Sequence, residues 1–139
     1  MKRFGTFHQL YFHFVWATRN RLPLITPVVE ARIFPYIGAK CKEWDYGLYA
    51  VNGTEDHLHV LVELTPAMLI ADVARNLKGA SSHYINKDTN LSDMLYWQDG
   101  YGVISLRKDD VAKVVSYIQR QKVHHVSGKL SDVLERIVL

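Results

Sequence analysis

The chain of 139 residues alternates between short runs of strand-like residues and longer runs with helical spacing. Residues 8–16, HQLYFHFVW, are rich in aromatic and β-branched side chains and predict a first strand. From residue 29 to residue 44 the apolar positions recur about every four residues, which predicts a helix with one buried face. Pro35 lies inside this run, so we expect either a kink or a late start of the helix.

The middle of the chain predicts a hairpin followed by a second helix. Residues 46–53, YGLYAVNG, and residues 57–64, HLHVLVEL, are strand-like runs separated by the turn residues TED. Gly53 lies next to this turn, as the tight geometry of an antiparallel hairpin favours. Residues 70–84 then have apolar side chains at spacings of three and four, which predicts a second helix that ends near residues 86–88.

The last third of the chain predicts a broken strand, a long helix and a short tail. Residues 94–106, MLYWQDGYGVISL, form a strand-like run that is interrupted by glycines. Residues 108–126, KDDVAKVVSYIQRQKVHHV, have a helical apolar stripe with acidic residues at the start, where they suit the helix dipole, and Gly128 ends the helix. The tail, residues 131–139, has the pattern of one or two further helical turns.

These elements occur in the order strand, helix, strand, strand, helix, strand, helix. That order predicts an α+β fold: a ferredoxin-like antiparallel sheet with helices on one face, plus an added C-terminal helix that carries Tyr117. The second face of the sheet is expected to stay free. The length fits a single domain that spans residues 1–139.

Composition and charge exclude several classes of protein. Hydrophobic residues make up 48% and charged residues 22% of the chain, so neither a disordered nor a fibrous protein is expected. No run is long and apolar enough to cross a bilayer, and the first residues lack the features of a signal peptide, so we expect a cytoplasmic protein. The single cysteine, Cys41, excludes an internal disulfide and a thiolate metal cluster. The net charge of +3 mildly favours polyanionic partners.

Two histidines lie one residue apart within the second strand of the hairpin. Because side chains alternate between the faces of a strand, Leu58 and Val60 face the core. His57 and His59 share the opposite face, roughly 6 to 7 Å apart. Two imidazoles directed at one point are a common way to hold a divalent metal ion. The same pattern is also typical of a solvated strand face, and a metal site needs a third ligand from elsewhere in the chain.

The third predicted helix offers polar residues beside its apolar stripe. Tyr117 and Gln121 flank the stripe and, being four residues apart, they lie one above the other and can point at the same object. His124 falls on the same side of the helix, whereas His125 turns toward the apolar stripe. Taken alone, a tyrosine at such a boundary is more typical of a ring packed on the core with its hydroxyl in water than of a catalytic group.

The combination of these residues is more specific than either part. Residues 57–59, His-Leu-His, followed far downstream by Y-x-x-x-Q at Tyr117 and Gln121, resemble the single-tyrosine HUH transposases of bacterial and archaeal insertion sequences. HUH denotes His, hydrophobic residue, His. The segments that look like this family, in the same order, cover nearly the whole chain: YFHFVWATRNR, DHLHVLVEL, NLKGASSHYI, YWQDGYGVISL and YIQRQKVHH.

The resemblance implies a chemistry for these residues. In that family a tyrosine hydroxyl attacks a phosphodiester of single-stranded DNA, which leaves a 5'-phosphotyrosine and a free 3'-hydroxyl. Tyr117 is therefore implied as the nucleophile. The resemblance also implies His57, His59 and Gln121 as ligands of Mg²⁺ or Mn²⁺, although imidazole donors by themselves suit manganese better than magnesium.

The resemblance further implies a DNA partner and an oligomeric state. The partner is single-stranded DNA with hairpin ends, and the active form is a homodimer in which the tyrosine of one chain can act in the active site of the other. Asp56 and His124 are candidates to support the metal ligands. Basic residues around the sheet are candidate phosphate contacts. They are Arg19, Arg21, Arg75, Lys78, Arg107, Arg120 and Lys122.

Three other interpretations fit parts of the sequence. A domesticated or inactive DNA-hairpin-binding protein of the same fold would keep the basic surface, but it leaves the filled catalytic positions without a purpose. A small metal-dependent hydrolase would use the two strand histidines with His124 and would form no covalent adduct with DNA. A small-molecule binding module accounts for the architecture but not for the histidines and the tyrosine.

Overall fold

A computed structural model describes residues 5–91 and 94–137 of the chain, apart from the side chains of residues 124 and 126. This part of the chain contains four strands and five α-helices. The strands are β1 (Tyr11–Ala17), β2 (Gly47–Gly53), β3 (His57–Glu63) and β4 (Gly102–Leu106). The helices are α1 (Pro27–Glu43), α2 (Ile70–Asn86), α3 (Lys108–Gln119), α4 (Gln121–Ser127) and α5 (Asp132–Glu135), and a 3₁₀ turn covers Arg19–Arg21.

The strands form one antiparallel sheet in the order β2-β3-β1-β4. With α1 between β1 and β2, and α2 between β3 and β4, this is a ferredoxin-like α+β arrangement, so the predicted fold class is confirmed. The register sets Ala17 opposite His57 and Val15 opposite His59, which places the histidine end of β3 beside the end of β1. Among the described helices, none has both the length and the apolar character needed to cross a membrane.

One face of the sheet is covered by α1 and α2 and holds the main core. Phe14 and Trp16 of β1, and Leu58 and Val60 of β3, point to this face at every second position and are fully buried. The helices contribute the apolar residues Val29, Ile33, Ile37, Cys41, Val73 and Leu77. Truncation of one buried aliphatic side chain typically costs about 2–5 kcal/mol, so this face fixes the position of β3 firmly.

The first helix begins earlier than Pro35 suggested. Thr26 caps it, because its Oγ1 accepts a hydrogen bond from the backbone N–H of Val29 at 3.3 Å. Pro27 occupies the first helical position, where its missing N–H costs no hydrogen bond. The helix then continues through Pro35, which is exposed, so the hydrogen bond that this proline removes lies where water can replace it.

The second face of the sheet is not free, contrary to the expectation from sequence. Val111, Val114 and Ile118 of α3 pack against an apolar cluster on this face that includes Ala50 and Leu61. The short helix α5 lies against β1 on the same face. The physical reason is that β2 and β3 are apolar on both sides, and this second apolar surface needs a cover of its own. The two histidines of β3 therefore lie beneath helices rather than at an open surface.

Two elements are shorter than the sequence suggested. The predicted helix over residues 108–126 is divided at Arg120, whose φ of −104° and ψ of 22° end α3 before α4 begins. Gly128 follows α4 with a φ of +73°, which confirms its predicted place at the helix end. Of the strand predicted over residues 94–106, only β4 is regular, and Trp97 forms a single bridge with Thr18.

Candidate active site

The two histidines of β3 are buried side chains with defined partners. His57 is 2% and His59 0% exposed, and their ring centroids are 5.2 Å apart. Buried polar rings need hydrogen-bond partners, so the neighbouring side chains fix how the two rings are oriented. A solvated strand face, one of the two readings of the sequence, does not describe these positions.

Both rings are turned so that their Nε2 atoms face the same space. The Nδ1 of His57 lies 2.7 Å from Oδ1 of Asp56 and 2.9 Å from Oγ1 of Thr54. The Nδ1 of His59 lies 2.8 Å from Nε2 of His13. Histidines that hold metals usually direct their second nitrogen to such a partner, which fixes the ring orientation. Asp56 and Thr54 are therefore the side chains that fix the orientation of the His57 ring.

His13 is a part of the site that the sequence reasoning missed. It lies on β1, is 1% exposed, and its ring stacks on that of His59 with centroids 5.0 Å apart. Burial, together with the neighbouring His59, lowers the pKa of His13 to about 3, so this ring is neutral at physiological pH. A neutral His13 can accept a hydrogen bond from the N–H at Nδ1 of His59, and this contact fixes the orientation of the His59 ring, whose Nε2 faces Glu135.

Glu135 of α5 joins the histidines to the helix that carries the tyrosine. Its Oε1 lies 3.1 Å from the Nε2 atoms of both His57 and His59. Its Oε2 accepts hydrogen bonds from Oη of Tyr117 at 2.5 Å and from Nε2 of Gln121 at 2.9 Å. Burial opposes ionisation of this carboxyl, but the hydrogen bonds from the two histidines outweigh it and hold the pKa of Glu135 well below its usual range.

The tyrosine hydroxyl is held on two sides. Besides its contact with Glu135, Oη of Tyr117 accepts a hydrogen bond from the backbone N–H of Ser131 at 2.9 Å. The ring centroid lies 6.2 Å from that of His59 in the same chain. Burial, followed by the hydrogen bond to Glu135, raises the pKa of Tyr117 to about 12, so the phenol is protonated at neutral pH.

Gln121 contacts the same carboxylate oxygen as Tyr117, although the helix is divided between them. Its side chain is fully buried, and its Oε1 lies 3.2 Å from Nε2 of His57. The division at Arg120 also changes which later histidine approaches the site. The ring of His125 lies 4.7 Å from that of His57, whereas a continuous helix would turn it to the apolar stripe. The side chain of His124, the candidate from sequence, lies outside the described residues.

The donor atoms fit a divalent cation. One ligand atom from each of His57, His59 and Glu135 lies within 4.8 Å of the others, and Oε1 of Gln121 is adjacent. Three acceptor atoms at such distances need a proton or a cation between them. Burial lowers the pKa of His57, but the hydrogen bonds to Glu135 and Asp56 raise it more, so the pKa of His57 lies above its ordinary value. The cluster suggests a divalent metal site.

The candidate phosphate contacts do not form one patch. Arg19, Arg75 and Lys78 surround one pocket, whereas Arg21 lines a cleft that reaches Glu135. Of the remaining three, Lys122 pairs with Glu30 at 2.5 Å, Arg107 pairs with Asp109 at 3.4 Å, and Arg120 is exposed at the division between α3 and α4. Arg21 lines the same cleft as Glu135, and Lys122 lines a separate pocket with Thr54 and His125.

Replacement of His13 tests whether it orients a metal ligand. We expect His13→Ala to weaken Mn²⁺ binding roughly 10- to 100-fold, because His59 loses the partner that fixes its ring. Isothermal titration calorimetry measures this affinity, and thermal denaturation checks that the variant folds. His83→Ala, which removes an exposed histidine of α2, is the matched control and should bind as the parent does. Equal affinities of all three proteins would show that His13 does not act on the site.

The comparisons with known proteins point to one family. Residues 6–121 match the family described as "Transposase IS200 like". The ISDra2 transposase TnpA of Deinococcus radiodurans is 23% identical over 122 residues, which cover 84% of this chain and 87% of that protein. A crystal structure of a putative transposase from Deinococcus radiodurans R1 has a TM-score of 0.70 at 25% identity, over 87% of this chain and 97% of that chain.

A second solved structure, a REP-associated tyrosine transposase bound to a REP hairpin, has a TM-score of 0.61 at 19% identity, over 90% of this chain and 74% of that chain. This second likeness concerns the fold alone. The family match extends over most of the chain and includes the strand histidines, Tyr117 and Gln121. The resemblance that the sequence suggested is therefore confirmed, and the chain belongs to the IS200-like transposase family, whose members are DNA-cleaving enzymes.

Proposed function

We propose that this transposase cleaves and rejoins single-stranded DNA at the ends of an insertion sequence through a 5'-phosphotyrosine on Tyr117. One observation carries the proposal: the hydroxyl of Tyr117 and the Nε2 atoms of His57 and His59 contact the same carboxylate, that of Glu135. The proposed nucleophile and the proposed metal-binding atoms are thus separated only by the carboxylate that they share. This is the constellation that metal-assisted attack on a phosphodiester requires.

The proposed reaction exchanges one phosphodiester for another. The Oη of Tyr117 attacks phosphorus, the bond from phosphorus to the 3'-oxygen breaks, and the leaving oxygen takes up a proton to become a free 3'-hydroxyl. Oε2 of Glu135, 2.5 Å from Oη, is positioned to accept the phenol proton. Attack by another 3'-hydroxyl on the phosphotyrosine reverses the step and restores Tyr117. Because the energy of the first bond is kept in the covalent link, rejoining needs no ATP.

The proposed metal ligands are His57, His59, Gln121 and, beyond the set implied by the sequence, Glu135. When bound, a divalent cation polarises the scissile phosphate and stabilises charge on the departing oxygen. Mg²⁺ and Mn²⁺ are the candidates. The two imidazole donors favour Mn²⁺, since Mg²⁺ prefers oxygen ligands. Asp56 is proposed to orient His57 through its contact at 2.7 Å.

The proposed substrate is single-stranded DNA with a hairpin. The net charge of +3 and the position of Arg21 in the cleft that reaches Glu135 support a polyanion at this site. The structural neighbour that was solved with a REP hairpin supports a hairpin as the folded part of the substrate. A protein of the same fold that binds hairpins without cleaving them remains the second candidate, and covalent chemistry distinguishes the two.

Replacement of Tyr117 by phenylalanine tests the nucleophile. The variant should form no covalent adduct with labelled hairpin DNA from the flanks of the gene in Mn²⁺, because it lacks the attacking oxygen. Denaturing gel electrophoresis detects the adduct. Tyr84→Phe, which changes an exposed tyrosine of α2, should form it normally. An adduct in the Tyr117→Phe protein would refute the assignment, and no adduct with the parent protein would favour the noncleaving hairpin-binding protein.

Replacement of Glu135 by glutamine tests its proposed role as a metal ligand. The change keeps the shape of the side chain but removes its charge, so the Mn²⁺ concentration that half-saturates adduct formation should rise roughly 10- to 100-fold. Glu55→Gln, at an exposed position just before β3, is the matched control. Faster adduct formation at the same Mn²⁺ concentration would contradict this role, because it would mean that the carboxylate obstructs the site.

We further propose a homodimer in which each chain uses its own tyrosine. The family resemblance supports the dimer, and the contact between Tyr117 and Glu135 of one chain supports action in cis rather than in the partner's site.

Mixing two inactive variants tests this arrangement. Tyr117→Phe and the double variant His57→Ala with His59→Ala should form no adduct after they are mixed and allowed to exchange subunits. Sedimentation of differently tagged chains checks that mixed dimers exist. An adduct on the double variant, whose tyrosine is intact, would show action in trans.

A further inference from the structure

A pocket of about 420 Å³ lies between α2 and residues 96–101, and its lining does not include His57, His59 or Glu135. Ligand sites of this kind commonly have volumes of about 300–1,000 Å³. Three cationic side chains from separate parts of the chain line it: Arg19 from the 3₁₀ turn, and Arg75 and Lys78 from α2. Asp99 is the acidic residue of the described lining. A pocket with this excess of positive charge suits an anionic ligand.

One wall of the pocket is an aromatic ring with a planar cation over it. The guanidinium carbon of Arg19 lies 4.5 Å from the centroid of the Tyr96 ring, and this tyrosine is 41% exposed. The backbone also holds the two residues together, because the N–H of Arg19 donates to the carbonyl oxygen of Tyr96 at 2.8 Å. Tyrosine rings and guanidinium groups are both surfaces on which unpaired bases stack, whatever the base.

The segment that follows Tyr96 is fastened to α2 before any ligand arrives. Nζ of Lys78 donates hydrogen bonds to the carbonyl oxygens of Gln98 at 2.8 Å and of Gly100 at 2.9 Å. Lys78 thus positions the wall, which differs from the phosphate contact that the sequence suggested. Arg75 forms an exposed pair with Asp72, an interaction weak enough to be exchanged for a phosphate. Arg19 and Arg75 are therefore the cations available to an anion.

Gly79 opens the helical side of the pocket. It lies in the interior of α2, where glycine is less stable than alanine, and its φ does not require glycine. A Cβ at this position would meet no atom of the protein within 4 Å. Packing within the chain thus gives no reason for glycine at this position. The absence of a Cβ would, however, let a ligand approach the helix backbone closely.

The pocket is also close to the site of the proposed cleavage. Gln98 lines both this pocket and the cleft that contains Arg21 and Glu135. The N–H of Gln98 donates to the carbonyl oxygen of Ala17 at 2.8 Å, and Ala17 pairs with His57. Two strand spacings, roughly 10 Å, thus separate the backbone of Gln98 from that of His57. A DNA strand that passes Tyr117 can reach the pocket with a neighbouring nucleotide.

We propose that this pocket holds one unpaired nucleotide next to the phosphate that Tyr117 attacks, with the base stacked on Tyr96 and a phosphate held by Arg19 and Arg75. The inference rests on the proposed function, because it takes single-stranded DNA as the substrate. The inference adds to that function a site that binds the single strand of DNA independently of the hairpin.

Binding of a labelled (dT)₁₂ oligonucleotide, followed by fluorescence anisotropy at low salt, tests the stacking wall. Tyr96→Ala should raise the Kd about tenfold, in line with the loss of one stacked base. Tyr84→Ala is the matched control, because Tyr84 is 39% exposed but stacks on Tyr36 outside the pocket. That variant should bind as the parent does.

Two further variants test the helical side and the cation. Gly79→Leu adds a side chain on the helical side of the pocket, and its Cβ meets no protein atom within 4 Å, so the variant should keep the thermal stability and weaken (dT)₁₂ binding. Ala39→Leu, at an exposed position of α1, is the matched control and should leave both unchanged. Arg19→Gln should reduce the slope of log Kd against log salt by about 0.7, the value for one phosphate contact on a single strand.

The outcomes separate this inference from the proposed function. Equal Kd values for the parent, Tyr96→Ala and Gly79→Leu would overturn the proposed nucleotide site, and so would failure of the parent to bind (dT)₁₂. In either case the adduct on Tyr117 would still form if the proposed function is correct. If no adduct forms with any DNA but binding still depends on Tyr96, the nucleotide pocket stands and the proposed cleavage fails.

Discussion

A single carboxylate, that of Glu135, joins three parts of the fold that are distant in the sequence. Its two oxygens contact both histidines of β3, the hydroxyl of Tyr117 and the amide of Gln121. Hydrogen bonds to a charged group contribute about 1.5–3 kcal/mol each, and more is lost when a buried partner is left unsatisfied. The positions of α5 on the sheet and of the tyrosine above the histidines therefore depend on one charge. A cation bound by the same side chains would also hold Glu135 at this place. The proposed metal site and the position of α5 on the sheet are therefore linked.

The backbone around this carboxylate depends on two close approaches. A Cβ on Gly53 would lie 2.1 Å from the carbonyl oxygen of His57, so glycine permits the tight hairpin that starts β3 with a histidine. A Cβ on Gly102 would lie 1.8 Å from the carbonyl oxygen of Arg136, so glycine at the start of β4 permits the tail to lie against the sheet. Neither glycine touches the reacting groups. The close approach at Gly53 places the start of β3, and the close approach at Gly102 places the tail that carries Glu135.

Much of the candidate site follows from local rules, and the rest depends on tertiary contacts. The shared face of His57 and His59 follows from strand alternation, and the convergence of Tyr117 with Gln121 follows from helical spacing, which survives the division at Arg120. His13 could have been found by pairing β1 with β3, since its place on the same face follows from the register. Glu135 had no such signal, because a four-residue helix brings it to the site from the far end of the chain. The cover over the second face was missed for the same reason: periodicity shows which side of a helix is apolar but not which sheet face receives it.

The electrostatics of the cluster give a reason for a cation that is independent of family membership. A phosphodiester that approaches Tyr117 must come close to Glu135, whose pKa is held well below its usual range and which is therefore charged. Two unit negative charges 4 Å apart repel by about 4 kcal/mol at an effective dielectric constant of 20. Arg21 and Arg136 line the cleft beside Glu135 and offset part of this repulsion, but Arg136 also forms a pair with Asp132. A divalent ion among the histidines and Glu135 would reverse the sign of the interaction, so metal binding and binding of the scissile phosphate should strengthen each other.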